Sequence, residues 1–118
     1  MIQLLRSGQK LSFLIDQYAG SRGYVCDFLG RPASTTTMPA LLARRFGAPI
    51  LPAFALRVGR EFRFKLVVGE PILPEHYNHL SGSEAVHEMT LEANRQLEAI
   101  VREHPEQWLW LHRVFDLF

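Results

Sequence analysis

The chain has 118 residues, of which 47% are hydrophobic and 21% charged, and a formal net charge of +1. That length suits one domain or part of one with a modest core, and that composition excludes a disordered chain. The near-neutral balance excludes a global basic field for nucleic acid, so no nucleic-acid partner is expected.

In chain order, residues 1 to 7 read as the last turns of a helix, stopped by Gly8. Lys10 to Asp16 (KLSFLID) is a short apolar run that predicts a buried strand ending in a carboxylate. Gln17 to Gly23 holds two glycines among polar residues and predicts a loop. Tyr24 to Leu29 suits a short extended segment, which Gly30, Arg31 and Pro32 turn. The hydroxyl run Ser34 to Thr37 then precedes a helix with Pro39 in its first turn and Gly47 as its stop. Pro49 to Leu56 is β-like but interrupted by Pro52, and Gly59 marks a tight turn. From Glu61 to Val68 the residues alternate, with Phe62, Phe64, Leu66 and Val68 on one face and Arg63 and Lys65 on the other. This predicts a half-buried strand paired as a hairpin with the one before it.

Glu70 to Gly82 predicts a loop, and a long helix follows from Ser83 to about Glu103, with Val86, Met89, Ala93, Leu97, Ile100 and Val101 lining one face. Pro105 ends it, and a short aromatic helix is expected from about Glu106, with Trp108 and Leu111 packing on the sheet. The order β-α-β-β-α points to an α/β domain.

Cys26 stands alone, so neither a disulfide framework nor a zinc site is expected, and the histidines lack metal-ligand spacing. No run approaches the roughly 18 to 20 apolar residues that span a bilayer. The longest near-apolar run, Ala48 to Leu56, holds two prolines. The opening MIQLLRSGQK lacks the apolar core of a secretory signal. Any contact with a membrane is therefore expected to be peripheral.

Three features carry chemistry by residue type. Asp16 closes an apolar strand and opens a glycine-containing loop, where ligands sit in open α/β sheets; the alternative is a carboxylate capping its own loop. A helix start at Thr35, Thr36 and Thr37 offers free backbone donors to a phosphate or carboxylate, or plain capping. Arginines crowd the middle third, Arg22 and Arg44 among them, either as a solvated surface or as contacts to phosphate or anionic lipid.

Three strings go further. The closing HPEQWLWLHR (His104 to Arg113), with FLIDQYAG (Phe13 to Gly20) and GRPASTTTMPALLARRFGAPILPAF (Gly30 to Phe54), resembles the C-terminal half of the bacterial lipid A biosynthesis acyltransferases, within the wider lysophospholipid acyltransferase family. The resemblance implies a partial glycerol-3-phosphate acyltransferase-like sheet with flanking helices, residues 1–118 forming a single partial domain. It also implies transfer of a fatty acyl group from acyl carrier protein or coenzyme A to a lipid hydroxyl, with no further cofactor. Asp16 matches an acidic active-site position of that family, although Ile15 replaces the usual proline. Gln17, Arg22, Thr36, Arg44, His112 and Arg113 are the substrate-contact positions the resemblance suggests, and Pro52 matches a block that shapes the acceptor side.

The family's catalytic pair is a histidine, four residues, then Asp or Glu. His87 to Glu92 (HEMTLE) fits that spacing, but on a helix the two side chains lie about 140° apart, which opposes a direct hydrogen bond. The catalytic histidine, the usual membrane segment and a separate N-terminal half are thus expected outside this chain, which would be soluble if expressed alone. The family implies the cytoplasmic face of the bacterial inner membrane. A second reading is a non-catalytic α/β interaction module that self-associates or binds a partner chain through an open sheet edge.

Overall fold

The structure is a computed structural model that describes residues 1–108. Its elements are α1 (Ile2–Arg6), β1 (Tyr24–Phe28), β2 (Arg31–Thr35), α2 (Met38–Phe46), β3 (Ala53–Arg57), β4 (Phe64–Val68) and α3 (Gly82–Glu103), with 3-10 turns at Gly20–Arg22, Pro74–Tyr77 and Pro105–Gln107. The α/β class is as expected. The strands form two antiparallel hairpins, β1 with β2 and β3 with β4.

The first hairpin turns on Leu29 and Gly30, both at positive φ (53° and 77°). Two successive residues in that region match the right-handed twist of the flanking strands. Arg31 and Pro32, expected in the turn, instead begin β2, opposite Phe28 and Asp27. Helix α2 carries Pro39 in its first turn and ends on Gly47 at φ 61°. Helix α3 starts from a reciprocal cap: Ser81 Oγ accepts from Glu84 N–H, and the Glu84 carboxylate accepts from Ser81 N–H.

The predicted apolar stripe of α3 is its inner face. Val86, Met89 and Ala93 pack with Ala40 and Ala43 of α2 and with Ile72, while Val101 joins Phe28 and Ala33. The alanines let α2 and α3 approach closely, and the fully buried Met89 fills the space between elements, worth roughly 1.5–3 kcal/mol.

Three further expectations are corrected. Lys10 to Asp16 is not a strand: no regular structure spans it, and Leu14 is 73% exposed. An apolar run becomes a strand only where another strand supplies a hydrogen-bond ladder, and among the described residues none pairs with it. The β4 alternation is real, but Phe62, Phe64, Leu66 and Val68 face outward; Phe54, Leu56 and Val67 make the half-buried face instead. The expected aromatic helix after Pro105 is a single 3-10 turn ending at Gln107, with Trp108 extended. Leu111, His112 and Arg113 lie outside the described residues.

Candidate functional site

A groove of about 520 Å³ lies where the start of β1, one side of α2 and the first turns of α3 meet. Thr37, Leu41 and Arg44 line it from α2; spacings of four and three residues place them on one face. Gly82 and His87 line it from α3, and Arg22 and Tyr24 from the segment entering β1. Both helices present their first residues to the groove, so their positive dipole ends add to two guanidinium charges. Among the described residues that line it, none is acidic.

Each wall is held by local chemistry. Arg22 sits on a turn strapped to β2: Ser34 Oγ donates to Gly20 O at 2.7 Å, and Ala19 N–H donates to Ser34 O at 3.0 Å. Gly23 permits that approach, since a Cβ there would stand 2.1 Å from Ser34 Oγ and 2.8 Å from Ala19 Cβ. Arg44 Nη1 donates to Gly82 O at 3.0 Å, bridging α2 to the start of α3. The His87 ring stacks on Tyr24 with centroids 4.0 Å apart and planes 3° from parallel. Between α3 and the first hairpin, Asn94 Nδ2 donates to Thr35 Oγ1 (2.8 Å) and Cys26 Sγ (3.1 Å). Cys26 is thus a small buried residue, as its type suggests.

The candidate positions fall into separate places. Arg22 and Arg44 come together in the groove, while Asp16, Gln17 and Thr36 are not among its lining residues. The half-buried Asp16 lies in a bend and accepts from Trp108 Nε1 at 3.2 Å, and Trp108 in turn meets Phe28 edge-on at 5.5 Å. Gln17 is exposed. Thr36 Oγ1 accepts from Met38 N–H at 3.3 Å, a local cap at the head of α2. Thr35 is buried in β2 rather than standing at the helix start. Thr37 takes the cap position without a side-chain bond. His112 and Arg113 lie outside the described residues.

Neither histidine-to-carboxylate spacing makes a hydrogen-bonded pair. The Glu92 carboxylate accepts from Gln96 Nε2 and Arg95 Nη1 rather than orienting His87. A second string of the same spacing, His79 to Glu84 (HLSGSE), escapes the motif reading; its carboxylate serves the α3 cap, and His79 is exposed. Sequence reasoning also misses His87 as a groove residue. The available signal was its spacing from Ser83, which puts both on the side of α3 that meets Arg44.

Among the described residues, one carboxyl and one phenol are perturbed, neither of them lining the groove. Glu98 is held below the usual carboxylate range, first by the Leu29 N–H it accepts at 3.0 Å, then by Arg102, against burial that pushes it up. Burial, aided by Glu92 and Glu88, raises the Tyr77 phenol. Among the described residues, no group of His, Cys, Asp and Glu gathers with the arrangement of a metal site, and no helix is long and apolar enough to cross a membrane.

The family model described as bacterial lipid A biosynthesis acyltransferase matches residues 1–116. No curated protein and no solved structure matches the chain. A match over nearly every residue, with the three motif strings inside it, settles the kinship: the chain belongs to the bacterial lipid A biosynthesis acyltransferase family.

Proposed function

We propose that this chain takes part in moving a fatty acyl group from an acyl thioester, on acyl carrier protein or coenzyme A, to a hydroxyl of lipid A or a related glycolipid or lysophospholipid. The observation that carries this reading is the family match over residues 1–116. The groove supports the reading. Acceptors of this class and both carriers bear phosphate, and a concave site with Arg22, Arg44 and two helix starts suits phosphate.

In the reaction, the acceptor oxygen forms a bond to the thioester carbonyl carbon while its proton passes to a base. The tetrahedral oxyanion collapses, the carbon–sulfur bond breaks, and the thiol leaves with a proton. Arg22 and Arg44 hold the phosphate of donor or acceptor, Asp16 is the chain's candidate active-site carboxylate, and Gln17, Thr36, His112 and Arg113 are further substrate contacts. The base is assigned outside residues 1–108: the carboxylates spaced from His79 and His87 serve other groups, and His104 meets Glu103 and Glu106 only at 3.9 and 3.8 Å, beyond hydrogen-bond reach. The proposed setting is the cytoplasmic face of the inner membrane.

Binding and turnover test the two halves of this reading. The chain should bind coenzyme A or a phosphorylated lipid A precursor, and Arg22→Ala with Arg44→Ala should weaken that binding at least about tenfold, the loss of two charge-assisted contacts. Mixed with labelled acyl thioester and acceptor, the chain alone should give no transfer above background. Turnover that disappears with His87→Ala would place the base in the groove and overturn the assignment of an external one. Unchanged ligand binding in the double arginine variant would remove the groove from the reaction.

A further inference from the structure

The groove joins two kinds of surface, and phosphate binding needs only one of them. The first is charge: Arg22 and Arg44, with no acidic side chain among the described lining residues. The second is flat and apolar. Tyr24 and His87 both line the groove as a parallel ring pair with centroids 4.0 Å apart. Beside them the lining includes Val25 and Leu41, 56% and 47% exposed. The ring pair is built in place: Tyr24 lies in β1 opposite Thr35 of β2, and His87 lies in the second turn of α3. Rings already fixed lose little freedom when a ligand packs against them.

The lining chemistry selects among phosphate-bearing ligands. The ring nitrogens of His87 and the side chains of Arg22, Thr37 and Ser83 make no hydrogen bond or ion pair among the described residues, which leaves them open to a ligand. A sugar ring is rich in hydroxyl donors, and the side chain that accepts from them best is a carboxylate, which the described lining lacks. A purine bearing phosphate fits both surfaces: its flat base packs on aromatic rings and guanidinium planes, and its phosphates meet the arginines. A volume of about 520 Å³ lies within the roughly 300–1,000 Å³ of small-molecule sites. Of the two candidate acyl carriers, coenzyme A ends in a phosphorylated adenosine, whereas the phosphopantetheine arm of acyl carrier protein has no base.

We propose that the groove holds the nucleotide end of a coenzyme A thioester, with its phosphates on Arg22 and Arg44 and its adenine against the Tyr24–His87 pair. This inference rests on the acyl-transfer reading and deepens it, since it selects coenzyme A over acyl carrier protein as the donor.

Calorimetric titration of the full chain tests it with three probes of one phosphate each: adenosine 5′-monophosphate, ribose 5-phosphate and N-acetylglucosamine 1-phosphate. The adenosine probe should bind at least about tenfold more tightly than either of the others, and coenzyme A should exceed 4′-phosphopantetheine by at least as much. Tyr24→Leu with His87→Leu, shown to be folded by circular dichroism, should lose most of that preference while binding of ribose 5-phosphate stays within about twofold. Equal binding of the adenosine and ribose probes would overturn the proposal, as would a folded ring-pair variant that keeps the full preference. Binding of the sugar phosphate as tight as that of the adenosine probe would assign the groove to the acceptor and overturn it too. In those cases phosphate still binds, and the groove keeps its part in acyl transfer if Arg22→Ala with Arg44→Ala weakens that binding. Failure of every phosphorylated probe to bind would remove the groove from both readings.

Discussion

Asn94 of α3 donates through Nδ2 to Thr35 Oγ1 of β2 at 2.8 Å, and both side chains are almost fully buried. This bond ties the long helix to the first hairpin. Asn94→Ala leaves Thr35 and Cys26 without that donor and opens a small void. A loss of about 2 kcal/mol is expected in urea unfolding. Asn94→Asp should cost more, because a buried carboxylate has no proton to give to the threonine oxygen.

Gly23→Ala tests the strap that positions Arg22. The added methyl would collide with Ser34 Oγ and Ala19 Cβ, so the turn must move off β2. An expected loss of about 1–3 kcal/mol, read by thermal or urea unfolding, should come with weaker binding of phosphorylated ligand. Adding Ser34→Ala removes the nearer clash and should recover only part of both, since Ala19 still obstructs.

Glu98 makes the hairpin turn sensitive to acid. Its carboxylate accepts from Leu29 N–H and from Arg102, and these hold its folded pKa below the unfolded value of about 4.3. A depressed carboxyl contributes stability that is full above the unfolded pKa and is lost as pH falls through the folded one. Glu98→Gln should therefore cost about 1 kcal/mol at pH 7, modest because Arg102 is exposed to water. The difference between the two proteins should shrink as pH drops below about 4.

Asp16→Asn separates two roles of one side chain. The amide oxygen still accepts the Trp108 indole N–H, so stability should stay within about 1 kcal/mol, and the Trp108 environment should hold by near-ultraviolet circular dichroism. Asp16→Ala removes the acceptor and should perturb both. If Asp16 takes part in the chemistry, transfer in an assay complete with its base should fall at least about tenfold in the asparagine variant. Full transfer with asparagine in place would leave Asp16 as a strut for Trp108.

Local residue patterns allowed α2 to be read from Pro39 and Gly47, the inner face of α3 from its apolar spacing, and the β3–β4 hairpin from its alternation around Gly59. Each is a property of neighbours in the chain, where backbone geometry and capping act within one turn. The strand proposed for Lys10 to Asp16 failed because strand formation depends on a partner from elsewhere. The direction of the β4 faces failed for a related reason: alternation defines two faces but not which one finds cover.

The groove illustrates the same division. Residue type and motif position were enough to single out Arg22, Arg44 and Asp16. That Arg22, Arg44 and His87 share one acid-free concavity, while Asp16 is occupied by Trp108, follows from packing between α2, α3 and the first hairpin. Linear order carries hydrogen-bond propensity and periodicity, which are short-ranged. Which charged side chains converge depends on long-range burial and on the mutual approach of elements, and that is expressed only once the chain has folded.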